Sequence, residues 1–210
     1  MKKHWMLFAL IAVLPMMIAW AIDAREIIEN VQERYEDMTD ARLGFTQSVR
    51  FKVSKAEQRV QGTLLFKKPN KYRIETEERT VVTDGTTSWS WSPRNRQVVI
   101  DKYKEDTHAF SPEQLLLSYP KNYYSTLVGE EKIGGQSTYV LKLTPKDDNA
   151  FATAMKIWVS KDWLIRKVEI TDVNGAVTTY LIENISIDQK ISDATFNYQV
   201  PERAEVIDLR

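Results

Sequence analysis

Very few side chains in this 210-residue sequence could carry out covalent chemistry. It has two histidines, His4 and His108, and no cysteine; with His4 in an N-terminal segment that reads as a targeting signal, residues 22–210 hold His108 alone, so neither a thiolate site nor a histidine pair for a metal can be assembled there, and no second histidine or cysteine completes a triad. Adjacent carboxylates stand at Glu77-Glu78, Glu130-Glu131 and Asp147-Asp148. Neighbours along a strand point to opposite faces, so such pairs read as solvated charge before they read as a general acid and base. Gly134-Gly135 follows Ile133 in a hairpin setting, which is a tight turn and not a phosphate loop. The expectation is a protein that is not an enzyme and needs no cofactor or metal.

The N-terminus has the plan of a targeting segment: Lys2 and Lys3, an uncharged run from Trp5 to Ile22, and the small-x-small triplet Ala19-Trp20-Ala21. Cleavage near Ala21/Ile22 would make residues 1–21 a signal peptide and residues 22–210 a single domain. The competing reading is an uncleaved anchor, since 18 uncharged residues sit at the lower limit for spanning a bilayer. Losing Lys2 and Lys3 leaves 27 basic against 29 acidic residues, a balance that gives no field to attract nucleic acid. Aromatics interleaved with Lys and Arg, as in Phe66-Lys67-Lys68 and Tyr72-Arg73, do not overturn that exclusion.

Asp23 and Glu26 have capping-box spacing, and Ile27, Ile28, Val31, Tyr35 and Met38 recur at helical intervals. An amphipathic helix is expected there. From Leu43 the period becomes two, with Leu43, Phe45, Val49, Phe51 and Val53 alternating with polar residues, the pattern of a half-buried strand. Short segments of this kind continue to Asp101, separated by turns such as Lys68-Pro69-Asn70 and Asp84-Gly85. Ser111, Pro112 and Glu113 then open a short helix carrying Leu115, Leu116 and Leu117. Further strands run from Tyr124 to Ile185, and Phe196 to Val206 reads as a last one. The resulting fold class is mainly β: an antiparallel sheet of about ten to eleven strands that must curl to bury its apolar face. A packed interior and a hollow one share the same periodicity, so both remain open at this level.

The stretch from Gly62 to Arg73, followed by Val82-Thr83-Asp84-Gly85, Trp89-Ser90-Trp91-Ser92-Pro93 and Arg96-Gln97-Val98, resembles the outer-membrane lipoprotein carrier family, LolA. Weaker similarity extends through Phe45-Thr46-Gln47, Val140 to Lys146 and Phe196 to Pro201. The resemblance implies an unclosed β-barrel whose concave apolar face lies under a short-helix lid. It implies a periplasmic monomer that takes acylated lipoproteins from an inner-membrane ABC transporter and delivers them to an outer-membrane receptor lipoprotein. A carrier or sensor for another lipid or glycolipid is the alternative on the same fold. The family's lid-latching arginine precedes the matching proline, a position held here by Lys68. A turn lysine in solvent is the alternative reading of that residue, with equal weight. Candidate acyl-chain contacts are Phe45, Leu64, Phe66, Tyr72, Ile74, Trp89, Trp91 and, from the lid, Leu115, Leu116 and Leu117.

Overall fold

The computed structural model describes residues 22–103, 123–146 and 152–210. The expected signal peptide, His108 and the leucine helix lie outside the described residues. Asp23 caps helix α1 (Ala24–Asp37), its carboxylate accepting the Glu26 amide at 2.8 Å. This satisfies one of the donors left over at a helix start. The apolar stripe of the helix is buried, with Ile27, Ile28, Val31 and Tyr35 turned inward.

After α1 come six strands, β1 (Asp40–Arg50), β2 (Glu57–Lys67), β3 (Lys71–Thr76), β4 (Thr80–Thr83), β5 (Thr87–Ser92) and β6 (Gln97–Lys102). Five more follow: β7 (Tyr123–Ile133), β8 (Gln136–Pro145), β9 (Ala152–Ser160), β10 (Ile165–Asp172) and β11 (Val177–Ile187). A 3₁₀ turn (Asp193–Phe196) precedes β12 (Glu205–Asp208). The strands make one twelve-stranded sheet in the order β12-β6-β5-β4-β3-β2-β1-β11-β10-β9-β8-β7. Its edges, β12 and β7, do not pair with each other, so the sheet is open and no barrel closes.

Two sequence expectations need correction. The sheet has twelve strands where ten to eleven were expected, and it is not wholly antiparallel, because β12 runs parallel to β6. The segment expected to form one strand from Phe196 to Val206 instead splits into the 3₁₀ turn, an irregular stretch and β12. A parallel partner on a distant strand leaves no hairpin signal in the local sequence.

Directly paired residues share a sheet face, and faces alternate along each strand. Ladder register therefore places Leu43, Leu64, Ile74 and Val81 on one face, and Leu65, Arg73, Val82 and Trp89 on the other. Helix α1 covers the first face at its β8–β10 half, where Ile27, Ile28 and Val31 join Leu141, Leu143, Ile157 and Val168 in the main core. The second face carries the C-terminal segment. Lys67 and Lys71 pair with Asp193 at 2.6 and 3.0 Å, and Arg73 Nη1 donates to the Thr195 carbonyl at 3.3 Å.

Candidate functional site

Between α1 and the β1–β4 portion of the covered face lies a cavity of about 390 Å³. Its floor comes from alternate strand residues, Leu43 and Phe45 of β1, Val60, Leu64 and Phe66 of β2, Ile74 of β3 and Val81 of β4. Its opposite wall is Val31, Tyr35 and Met38 of α1, with Trp163, Leu164 and Ile165 closing one side from the β9–β10 hairpin. Carbon lines most of this surface. The polar lining residues are Gln47 and Tyr180, Thr76, Glu78 and Arg79 at the β3–β4 turn, and Arg34 of α1. Gln47 Nε2 donates to the Tyr180 hydroxyl at 3.3 Å, and burial pushes that phenol above its ordinary pKa.

The ring of Phe45 lies directly over Gly62, its cross-strand partner. A Cβ built on Gly62 would come within 2.5 Å of Phe45 Cζ and 2.6 Å of the Glu75 carbonyl oxygen. The absence of a side chain there is what lets the ring lie flat along the cavity floor.

Of the sequence-based candidates, Phe45, Leu64, Phe66 and Ile74 come together in the cavity lining. Tyr72, paired with Phe66, shares that face and packs on the Tyr35–Met38–Phe66 cluster, with its ring edge-on to Tyr103 at 6.3 Å. Trp89 and Trp91 do not join them. Their partners Val82 and Val98 belong to the opposite face, so the register turns both indoles away from the cavity. Leu115, Leu116 and Leu117 lie outside the described residues.

Lys68 sits in the β2–β3 turn, and its ammonium donates to the carbonyls of Tyr35 and Glu36, the latter at 2.9 Å. The same ammonium stands 4.4 Å from the centre of the Tyr35 ring. The Tyr35 carbonyl also accepts the Met38 amide at 3.3 Å, and carbonyls in the last turn of a helix carry the negative end of the dipole, so a cation there is both a cap and a counter-charge. Within the described residues, Lys68 ties the sheet to the helix that walls the cavity.

Sequence reasoning did not assign Val31, Tyr35, Met38, Trp163 or Leu164 to the site. The stripe on α1 signalled burial without naming a partner, and Trp163 is placed by a hairpin turn in which it takes a φ of 63°. Among the described residues no group of three or more His, Cys, Asp or Glu could hold a metal ion. No helix among them is long and apolar enough to cross a membrane.

A family model described as outer membrane lipoprotein carrier protein LolA matches residues 37–199. The chain belongs to that family. The LolA match takes in the whole cavity floor and Lys68, and leaves out most of α1 and all of β12. Curated relatives include an outer-membrane lipoprotein carrier protein of Histophilus somni (strain 2336), 26% identical, which covers 100% of this chain and 99% of its own. Another, from Haemophilus influenzae (strain Rd), is 28% identical with the same coverage. Among solved structures, an uncharacterized conserved protein from Thermus thermophilus superposes with a TM-score of 0.59 at 15% identity, over 88% of this chain and 98% of that one. That likeness bears on the fold alone. LolA proteins are carriers without catalytic chemistry, and this chain is a carrier-family protein rather than an enzyme.

Proposed function

We propose that this protein is a periplasmic chaperone that shelters the acyl chains of lipoproteins between α1 and the sheet. The observation that carries this reading is the carbon-lined cavity of about 390 Å³ on the face covered by the helix. Each methylene of an acyl chain costs about 0.8 kcal/mol in water, so a lipidated protein can cross an aqueous compartment only if its chains are enclosed. Phe45, Leu64, Phe66 and Ile74 supply the floor, Tyr72 stands beside it, and the leucines of residues 115–117 are candidates for a second cover. Lys68 is the latch: opening the space between helix and sheet requires its bonds to the Tyr35 and Glu36 carbonyls to break. In this reading residues 1–21 export the chain. An inner-membrane ABC transporter supplies the cargo, and an outer-membrane receptor takes it. The sheet curves around the chains as they enter.

The deciding experiment incubates residues 22–210 with energised inner-membrane vesicles that hold a tri-acylated lipoprotein and a cognate transporter. A soluble complex on size exclusion is expected. Retention of all lipoprotein in the vesicles, with the carrier folded, would overturn the reading.

A further inference from the structure

At one end of the sheet two neighbouring hairpin tips present exposed apolar side chains. The β1–β2 tip exposes Val53 at 94% and Phe51 at 38%, and the β10–β11 tip exposes Val173 at 62%. The tips are adjacent because β1 pairs with β11 out to Arg50 and Val177, and the Lys52 side chain lies against Gly175. The first tip is also well built. Phe51 and Ala56 close it by a bond of 3.0 Å, Lys55 donates back to the Phe51 carbonyl at 3.0 Å, and Lys55 takes a φ of 54°. Val53 is thus held at the apex of an ordered turn, where burial gives no reason for an apolar residue.

Cations surround it. Arg50, Lys52, Lys55 and Arg59 flank the tip, and none forms an ion pair with another described residue. Glu57 stands across the ladder from Arg50, Glu77 and Glu78 lie on the β3–β4 turn at the same end of the sheet, and Asp172 is occupied in its own turn by the amides of Asn174 and Ala176.

We infer that these paired tips dock the protein on an anionic lipid surface, with Val53, Phe51 and Val173 entering the headgroup layer and the surrounding cations meeting lipid phosphates. A protein partner would need pockets shaped to single protruding side chains, whereas a bilayer interface accepts them anywhere. Alternating cationic and apolar residues is the composition such interfaces retain. The placement also suits a carrier. Gln47 and Val60 are the cavity-lining residues of β1 and β2 nearest the tips, and Arg50 lies three positions beyond Gln47, about 10 Å at a strand's rise.

Because the chain has no cysteine, V53C gives a single attachment point for an environment-sensitive fluorophore, and V128C on the far edge strand gives a matched control. Each labelled full-length protein is mixed with cargo-free vesicles of phosphatidylglycerol and phosphatidylethanolamine, or of phosphatidylcholine alone. A site-specific label separates tip contact from any attachment through residues 1–21. The expected result is a blue shift at position 53 with the anionic vesicles only, weakened by salt, and weakened about fivefold by each of K52Q and K55Q. Silence at position 53, an equal response at position 128, or a response that ignores lipid charge and both lysine changes would overturn the proposal. The vesicles hold no lipoprotein, so the outcome is independent of the carrier reading.

Discussion

Lys68 donates to the carbonyl of Glu36 at 2.9 Å, and this bond joins the β2–β3 turn to the C-terminal end of the helix over the cavity. The contact is charge-assisted and partly shielded by the Tyr35 ring, so it is worth more than a surface ion pair. An ammonium reaches the Tyr35 and Glu36 carbonyls as a point charge, whereas a guanidinium would offer a planar fork to both. K68R is expected to slow cargo release to acceptor membranes, and K68M to speed it while lowering stability by about 1–2 kcal/mol. Stopped-flow transfer and urea denaturation measure the two effects. Identical release rates for the wild type, K68R and K68M would remove the latch.

Gly62 is constrained by space alone, since its backbone does not need the left-handed region. G62A must displace both the Phe45 ring and the β3 backbone at Glu75, since the added carbon would meet each of them at under 3 Å. The expected loss is about 1–3 kcal/mol. F45A frees the first contact and leaves the second, so the double variant F45A/G62A should lose less stability than the two single losses added together. Strict additivity in chemical denaturation would mean that the ring and the glycine do not share the site.

Much of the architecture was legible because it is local. The Asp23 cap, the stripe from Ile27 to Met38 and the alternation of β1 and β2 are written in residues a few positions apart. Period two says that Trp89 and Trp91 share a face but not which face. Only the ladder through Val82, Arg73 and Leu65 decides that, and it links residues from four strands. The same limit explains β12, whose partner β6 lies about a hundred positions earlier, and the α1 wall of the cavity, whose residues carry a burial signal without an address. Lys68 was singled out by family likeness, and its bonds run to the helix α1 carbonyls, which no spacing rule would have indicated.

That register separates two substitutions the sequence would treat alike. Ile74 lines the cavity, and I74A should weaken binding of a fluorescent fatty acid about fiftyfold, as expected from the three carbons removed at about 0.8 kcal/mol each. W91F lies on the other face and should leave that affinity unchanged. Equal losses in both variants, measured by equilibrium titration, would place the ligand somewhere other than this cavity.

Acid should loosen the C-terminal segment before it unfolds the sheet. Lys67 and Lys71 hydrogen-bond the Asp193 carboxylate and hold its pKa below the usual aspartate range. A carboxylate depressed in the folded state contributes its full stabilisation above the unfolded value of about 3.9, and the contribution is lost as pH falls through the lower folded-state pKa. On β12, Arg210 holds Asp208 at about 2, so that strand should respond at still lower pH. Hydrogen exchange of the amides around Ala194 to Asn197 should therefore accelerate as pH drops below about 4, after correction for the intrinsic exchange rate. In D193N the pair is absent at every pH, so protection should be low throughout and this part of the pH dependence should flatten. An unaltered profile in D193N would show that the lysine pair does not hold this segment against the sheet.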